Sequence, residues 1–402
     1  MALKILLAAT VSWPSTARLG GAFASVGARV AALAPSDAPV MVSRYTQTRY
    51  IYRALAPIGS FGSAIAAEAP DLIIPCDDRA VEILLELRND VPELLIRSFG
   101  DVSSYPSLMT RNAFLTAARN LGIATPLTVA VHDLHALRDA AGGCGFPLVV
   151  KADGSWGGDG VAIVRNHEEA EAAFLRLSNP PSPLRSLARA IRRGDPHYIR
   201  EAFTAKAHAI TVQSFVEGHP ATTAFASWNG SLLGAIHADV LMAQNGNGPA
   251  TVIRRVECDE MTRAAKAVAE HFRLSGLHGL DFMRDRAGRV HLLEVNPRAT
   301  QLSALTFESA PDLIAALMGA AGQKSLRRRH GIEGDVVALF PQEWRRDPAS
   351  PYLESAHHDV PWDDPALIAA CTSPQKRPLV DRLLSRGCNP GPAFTTWKPS
   401  KP

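Results

Sequence analysis

No two of the five cysteines, at positions 76, 144, 258, 371 and 388, stand at CxxC spacing, and their number is odd. That pattern supports neither a disulfide framework nor a zinc ribbon, and a reducing cytoplasm is the simplest compartment for it. No apolar run approaches the roughly 20 residues that a membrane helix needs, so no membrane partner is expected. Charge of one sign is also lacking. Lys plus Arg number 42 against 39 for Asp plus Glu, a net +3, which is too weak a balance to make nucleic acid the default partner. There is no internal repeat and no low-complexity tract, although Gly and Pro number 29 each.

What is present is a chain of 402 residues, 47% hydrophobic and 20% charged. That composition fits a globular protein of two or three domains and argues against disorder or a coiled coil. The N-terminal run Ile5-Leu6-Leu7-Ala8-Ala9 superficially resembles a signal peptide. It is short and Trp13-Pro14 follow at once, so a buried first strand is the better reading.

Apolar runs of strand length at 4–9, 29–34 and 71–75 alternate with helical spacing over 15–26 and around Val81, Leu84, Leu85 and Leu87. Strand, helix, strand, helix, strand predicts a parallel α/β domain over residues 1–108. A helix follows at about 110–121, then a strand at 128–131, a helix at 134–141, and strands at 147–151 and 161–164 flanking a Gly-rich loop. A helix is expected at 168–177. Residues 178–197 are Pro-rich and then basic, with Arg185, Arg189, Arg192 and Arg193, and read as a solvated insertion. From Ile210 the pattern turns antiparallel, with strands at 210–216, 222–228 and 232–240, a helix at 259–272, and a hairpin of 278–284 against 290–296. A helix at 311–321 ends this second region, 109–322, which divides near residue 215 into subdomains of about 109–215 and 216–322. Residues 323–402 form an irregular C-terminal extension.

Three segments carry chemistry. The first is Lys151-Ala-Asp-Gly-Ser-Trp-Gly-Gly-Asp-Gly160. Gly154, Gly157, Gly158 and Gly160 let a backbone approach phosphate oxygens, and Lys151 ends the preceding strand where an ammonium could meet a phosphate. A Rossmann loop should open a helix, but this one leads into Val161–Val164, and no GxxxxGK[ST] occurs, which excludes a P-loop. An ordinary hairpin with an exposed lysine has the same pattern. The second pairs Gly279-Leu-Asp281-Phe-Met with Leu292-Leu-Glu294-Val-Asn296-Pro-Arg298. Glu294 and Asn296 are two apart and share a strand face, and a turn at 287–288 sets Asp281 nearly opposite Glu294. Two carboxylates and an amide oxygen are the hard donors Mg²⁺ prefers. A solvated strand face is the alternative, weakened by the core character of Leu292, Leu293 and Val295. The third, Val212-Gln-Ser-Phe-Val-Glu-Gly218, is a strand followed by a linker turn.

In their order and spacing these segments, together with Arg111 and Gly122-Ile, resemble the ATP-grasp superfamily, and most closely its carbamoyl-phosphate synthetase-like branch, over roughly residues 1–320. The resemblance implies an α/β pre-ATP-grasp domain followed by two α+β subdomains that clamp ATP. It implies nucleotide contacts from Arg111, Lys151, Gly154, Ser155, Gly157, Gly158 and Gly160, and from the linker Gln213, Ser214, Phe215, Val216 and Glu217. It implies Mg²⁺, or Mn²⁺ as an alternative ion, on Asp281, Glu294 and Asn296. Arg298 and Lys151 take the catalytic charges, with Arg298 approaching the γ-phosphate and an acyl phosphate. Pro220 stands where some members have a ribose-binding Glu, with Glu217 and His219 as nearby substitutes.

The implied activity is an ATP-dependent ligase. It activates a small-molecule carboxylate as an acyl phosphate, couples it to an amine, and releases ADP and phosphate. Chemistry on bicarbonate through carboxyphosphate is the alternative within enzymology, although no Met-Lys-Met biotin-carrier motif occurs. A nucleotide-binding protein without catalysis is another, opposed by the full set Asp281, Glu294, Asn296 and Arg298. A homodimer is left open as the assembly.

Overall fold

The computed structural model describes residues 2–152, 160–179, 186, 209–246 and 248–373. Gly154, Ser155, Gly157 and Gly158 of the expected phosphate loop lie outside the described residues, as do 180–185 and 187–197 of the basic segment and 374–402 of the extension. Chain contacts divide the protein into one unit of Met1–Pro180 with Ala207–Thr372, and a second of Pro181–Lys206 with Ser373–Pro402. All described strands belong to the first.

Its N-terminal sheet is parallel, in the order β3-β2-β1-β4. Strands β1 (Lys4–Ala8), β2 (Arg29–Ala34) and β4 (Leu72–Pro75) are the three apolar runs, buried because helices cover both faces. Strand β3 (Thr48–Ile51) was not expected. It is an edge strand with mostly exposed side chains, so burial imposes no apolar pattern on Thr-Arg-Tyr-Ile.

The second sheet is small and antiparallel, in the order β5-β8-β6-β7. It comprises β5 (Thr128–Val131), β6 (Leu148–Ala152), β7 (Val161–Val164) and β8 (Ile210–Ser214). Helices Leu134–Cys144 and His167–Ser178 bury Leu137, Ala141, Ala173 and Phe174 against Leu148, Val150, Val164 and Val212. Alternation therefore sends Val149, Lys151, Thr211, Gln213, Val161 and Ile163 to the opposite face.

The third sheet has seven strands in the order β13-β12-β9-β10-β11-β14-β15. Its long hairpin is β9 (Gly218–Trp228) with β10 (Ser231–Ala243), joined by Asn229-Gly230. Both turn residues have positive φ, 49° and 84°, as a two-residue turn matched to strand twist requires. Strand β8 pairs antiparallel with β5 and β6 in the small sheet, and the chain changes sheets at the linker before Gly218. A Cβ at Gly218 would stand 1.9 Å from Arg284 O, so only glycine permits that close crossing. Strands β11 (Ala250–Val256), β12 (Gly276–Asp285), β13 (Val290–Asn296), β14 (Val336–Ala338) and β15 (His357–His358) complete the sheet.

The extension thus supplies two strands of the large sheet. It also reaches the N-terminal sheet, where Arg18 forms a two-point ion pair with Asp359 and Ser43 Oγ donates to Asp364 at 2.7 Å. Among the described residues no helix is long and apolar enough to cross a membrane.

Candidate nucleotide and metal site

The β12–β13 hairpin sets the geometry. Asp285 at its end accepts from Ala287 N (2.9 Å), Arg289 N (3.0 Å), Arg289 Nε (2.9 Å) and His291 Nε2 (3.1 Å). His291 first, and then these other donors, hold the carboxyl down at about 2. With the turn fixed, the register places Asp281 directly opposite Glu294 and Gly279 opposite Asn296. Asp281, Glu294 and Asn296 share one face. Thr300 closes over its end, its Cγ2 only 2.4 Å from where a Gly279 Cβ would be.

The three side chains are linked to one another and to two arginines. Asn296 Nδ2 donates to Asp281 Oδ2 at 2.9 Å, and Arg298 Nη2 donates to Asn296 Oδ1 at 3.1 Å. Arg298 Nε then reaches Asp78 Oδ1 at 3.0 Å. Arg111, at the start of helix Arg111–Asn120, places Nη2 3.0 Å from Glu294 Oε2.

Burial, and then the Glu294 charge, push Asp281 up to about 6. Burial also acts to raise Glu294, but Arg111, Lys151 and Arg298 outweigh it and hold that carboxyl below its ordinary range. Two carboxylates that repel on one face form a site that a cation relieves. Among the described residues no three or more His, Cys, Asp or Glu side chains converge. The candidate donors on this face are two carboxylates and an amide oxygen. They suit a hard oxygen-seeking ion whose remaining ligands come from phosphate or water.

Lys151 projects from the open face of the small sheet. It is 7% exposed, while its neighbours Val161 and Ile163 on β7 are 41% and 43% exposed. A cation beside exposed apolar side chains is the surface that a base and its phosphates require. Gly160 O accepts from Ala152 N at 2.9 Å, which closes the described ends of the loop.

The linker is more constrained than its sequence suggests. Gln213 is buried and its Nε2 donates to Thr128 Oγ1 at 3.0 Å, so that side chain is committed within the sheet. Ser214 Oγ points to Cys144 O at 3.5 Å, while Phe215 and Val216 are half-buried. Glu217 is exposed and pairs with Arg286 at 2.6 Å. His219 lies three residues before Thr222, which is opposite Asp281. An odd offset on a strand puts His219 on the other face from the carboxylates, where it stands 3.6 Å from Asp239.

One side chain beside the carboxylates, Thr222, carries no sequence signal. Thr222 stands opposite Asp281 in the β9–β12 register, with its Oγ1 donating to Leu280 O at 3.4 Å, and Asp78, of the acidic pair Asp77-Asp78, holds Arg298. The neighbouring Asp77 is structural. It caps helix Asp78–Glu86 through Ala80 N (2.9 Å) and holds Thr10 through N (2.6 Å) and Oγ1 (2.8 Å).

Residues 110–320 match the family described as "Carbamoyl-phosphate synthase L chain, ATP binding domain". No curated protein sequence matches the chain. Among solved structures, the chain is similar to the biotin carboxylase domain dimer of the Hydrogenobacter thermophilus 2-oxoglutarate carboxylase, in complex with MgADP, ADP and bicarbonate. The TM-score is 0.59 at 15% identity, covering 82% of this chain and 71% of that one. It is also similar to the N5-carboxyaminoimidazole synthase of Aspergillus clavatus, in complex with ADP and 5-aminoimidazole ribonucleotide (TM-score 0.59, 12% identity, 80% and 77% covered). A third is the L-amino acid ligase of Bacillus licheniformis (TM-score 0.52, 14% identity, 80% and 74% covered). At such identities the likeness is one of fold, and that fold is the ATP-grasp.

Proposed function

We propose, for a chain that belongs to the carbamoyl-phosphate synthase L chain ATP-binding domain family, that it uses Mg-ATP to activate a small-molecule carboxylate and joins the product to an amine. The observation that carries this reading is the convergence of Arg111, Lys151 and Arg298 on the face of Asp281, Glu294 and Asn296. Three cations around two carboxylates form a frame for a polyanion and its counter-ion, not a structural ion pair.

In this reading a carboxylate oxygen of the substrate attacks the γ-phosphorus, and the bond to ADP breaks. The amine nitrogen then attacks the acyl carbon, loses a proton, and phosphate leaves. Lys151 and Arg111 take the phosphate charge, and Arg298 holds the substrate carboxylate against the transferring phosphoryl group. Mg²⁺ or Mn²⁺ on Asp281, Glu294 and Asn296 would supply charge neutralisation between phosphates. The exposed Val161 and Ile163 would carry the base, and the linker backbone at Ser214–Val216 would read its edge, since the Gln213 side chain is committed to Thr128. Gly154, Ser155, Gly157, Gly158 and Gly160 would cover the phosphates and exclude water, because an acyl phosphate hydrolyses. The cysteines described, Cys76, Cys144, Cys258 and Cys371, are free thiols, which suits a cytoplasmic enzyme.

Hydroxylamine trapping tests the reaction. With ATP, a panel of carboxylic acids and hydroxylamine, a hydroxamate and ADP should form together. A second reading is favoured by the bicarbonate bound to the biotin carboxylase relative. If bicarbonate alone drives ADP release and no acid gives a hydroxamate, carboxyphosphate chemistry replaces the ligase.

A further inference from the structure

On the carboxylate face one oxygen of each of the three side chains already has a partner. Glu294 Oε2 accepts from Arg111, Asn296 Oδ1 accepts from Arg298, and Asp281 Oδ2 accepts from Asn296. Two of these partners are guanidinium groups, at 3.0 Å and 3.1 Å. A divalent cation seated among these oxygens would compete directly with fixed positive charge.

Arg111 is the more consequential of the two. It is the first residue of helix Arg111–Asn120, whose first turn has no acidic residue and whose N-cap Thr110 makes no side-chain cap. A helix N-terminus carries partial positive charge, so a cation there is disfavoured unless an anion holds it. Glu294 is such an anion. A phosphate could serve equally, and its oxygens suit the planar fork of arginine better than a single carboxylate oxygen does.

We propose that Arg111 is an interlock: by capping Glu294 it holds the carboxylate face closed to a divalent cation until a nucleotide phosphate takes the guanidinium away. The metal is then admitted with the nucleotide and excluded without it. This rests on the reading of the site as a nucleotide site. It adds that Arg111, not only the phosphate oxygens, couples the two ligands. By reciprocity the metal must raise nucleotide affinity by the same factor.

The test is Mn²⁺ binding followed by the loss of the free-ion electron paramagnetic resonance signal, with and without ADP. The wild-type chain should hold Mn²⁺ at least about tenfold more tightly with ADP, within the range usual for coupled sites. Phosphate oxygens alone would also give that result, so the decisive measurement omits the nucleotide. Arg111→Met should then raise Mn²⁺ affinity about tenfold and shrink the ADP effect. Lys151→Met removes a second nearby positive charge, one that lowers the Glu294 carboxyl less than Arg111 does, and should raise affinity less. Arg111→Gln serves if Arg111→Met does not fold.

A nucleotide-free wild-type chain that binds Mn²⁺ as tightly as with ADP overturns the interlock. So does an arginine variant with unchanged affinity, or one matched by Lys151→Met. ADP binding in chelator, followed by calorimetry, separates the two levels. If ADP binds and Mn²⁺ ignores it, only the interlock fails. If no ADP binds, the nucleotide reading fails with it.

Discussion

Arg298 and Asp78 lie 220 residues apart in the chain, yet Arg298 Nε donates to Asp78 Oδ1 at 3.0 Å. Asp78 opens the helix that follows β4, at the carboxyl end of the parallel sheet, where open α/β sheets bind their ligands. Beside it Ala299 N donates to Pro75 O at 3.1 Å, so the N-terminal sheet grips the chain just beyond the carboxylate strand. The arginine proposed to hold the substrate carboxylate is therefore aimed from the N-terminal parallel sheet and not from the sheet whose last carboxylate strand precedes it.

From that pair a kinetic split follows. Asp78→Asn keeps the shape but removes the charge that orients Arg298. Nucleotide binding should stay within about twofold, because Arg111 and Lys151 are untouched, while ADP release in the hydroxamate assay should fall tenfold or more, the usual scale for a misplaced transition-state cation. A parallel loss of ADP affinity in calorimetry would refute the positioning role.

Mg-ATP should stabilise the protein, and Glu294→Ala should remove the metal-dependent part. Ligand at a hundredfold excess over Kd adds about 2.7 kcal/mol, or a few degrees in Tm for a chain of this size. Glu294 is half-exposed, so its removal should cost the metal-free fold little. Thermal shift with Mg-ATP against ATP plus chelator decides the point: the two wild-type curves must differ, and those of the variant must coincide.

A third expectation concerns the extension. Glu343 is 0% exposed and accepts from Thr251 Oγ1 at 2.7 Å, from Ser350 Oγ, and from Arg346 at two points. Glu343→Ala should cost about 3–5 kcal/mol, because it leaves a guanidinium and two hydroxyls without their acceptor. Urea unfolding reads this as a lower midpoint. A change under about 1 kcal/mol would show that the extension is peripheral to stability.

The parts that local pattern controls were legible before the structure. Strands β5 and β7 and the facing of Asp281 and Glu294 follow from apolar alternation punctuated by turn residues. Legibility ended where a neighbour in space does the specifying. Thr48–Ile51 forms a strand because β2 offers a free edge, and its exposed residues keep no period. Ala250–Val256 and Val336–Ala338 are strands because each extends a sheet already begun by β9 and β10. The grouping of β8 with β5 and β6 depends on a long-range closure that no window of sequence contains. Thr222 was invisible as a site residue for the same reason: the fold brings Asp281 to it.

Acid stability is the last expectation, and its sign can be worked out group by group. His237 is buried, with Nδ1 2.8 Å from Thr223 Oγ1 and Nε2 2.8 Å from Thr262 Oγ1. His278 is buried against Phe225, its Nε2 3.0 Å from Ser275 O. Burial above all pulls both imidazoles down to about 4, while an unfolded histidine titrates near 6.5. Between those values the unfolded chain binds two more protons, so stability is full above about pH 6.5 and lost as pH falls towards 4. Asp281 works in the opposite direction. Its folded value of about 6 lies above the unfolded one, so the folded chain gains a proton over much of the same window. His358, lowered by burial, adds to the histidines, and Asp77, raised by burial, adds to Asp281, so the two sets of groups oppose one another through this window. Two variants separate the opposing contributions. His237→Gln keeps a side chain that can meet both threonines but cannot titrate, and should flatten the loss of stability towards acid. Asp281→Asn removes one opposing group and should steepen it. Urea midpoints at pH 7 and pH 5 measure all three proteins. Equal midpoints in the wild type, or variants that move the slope in the same direction, would contradict this account of the buried groups.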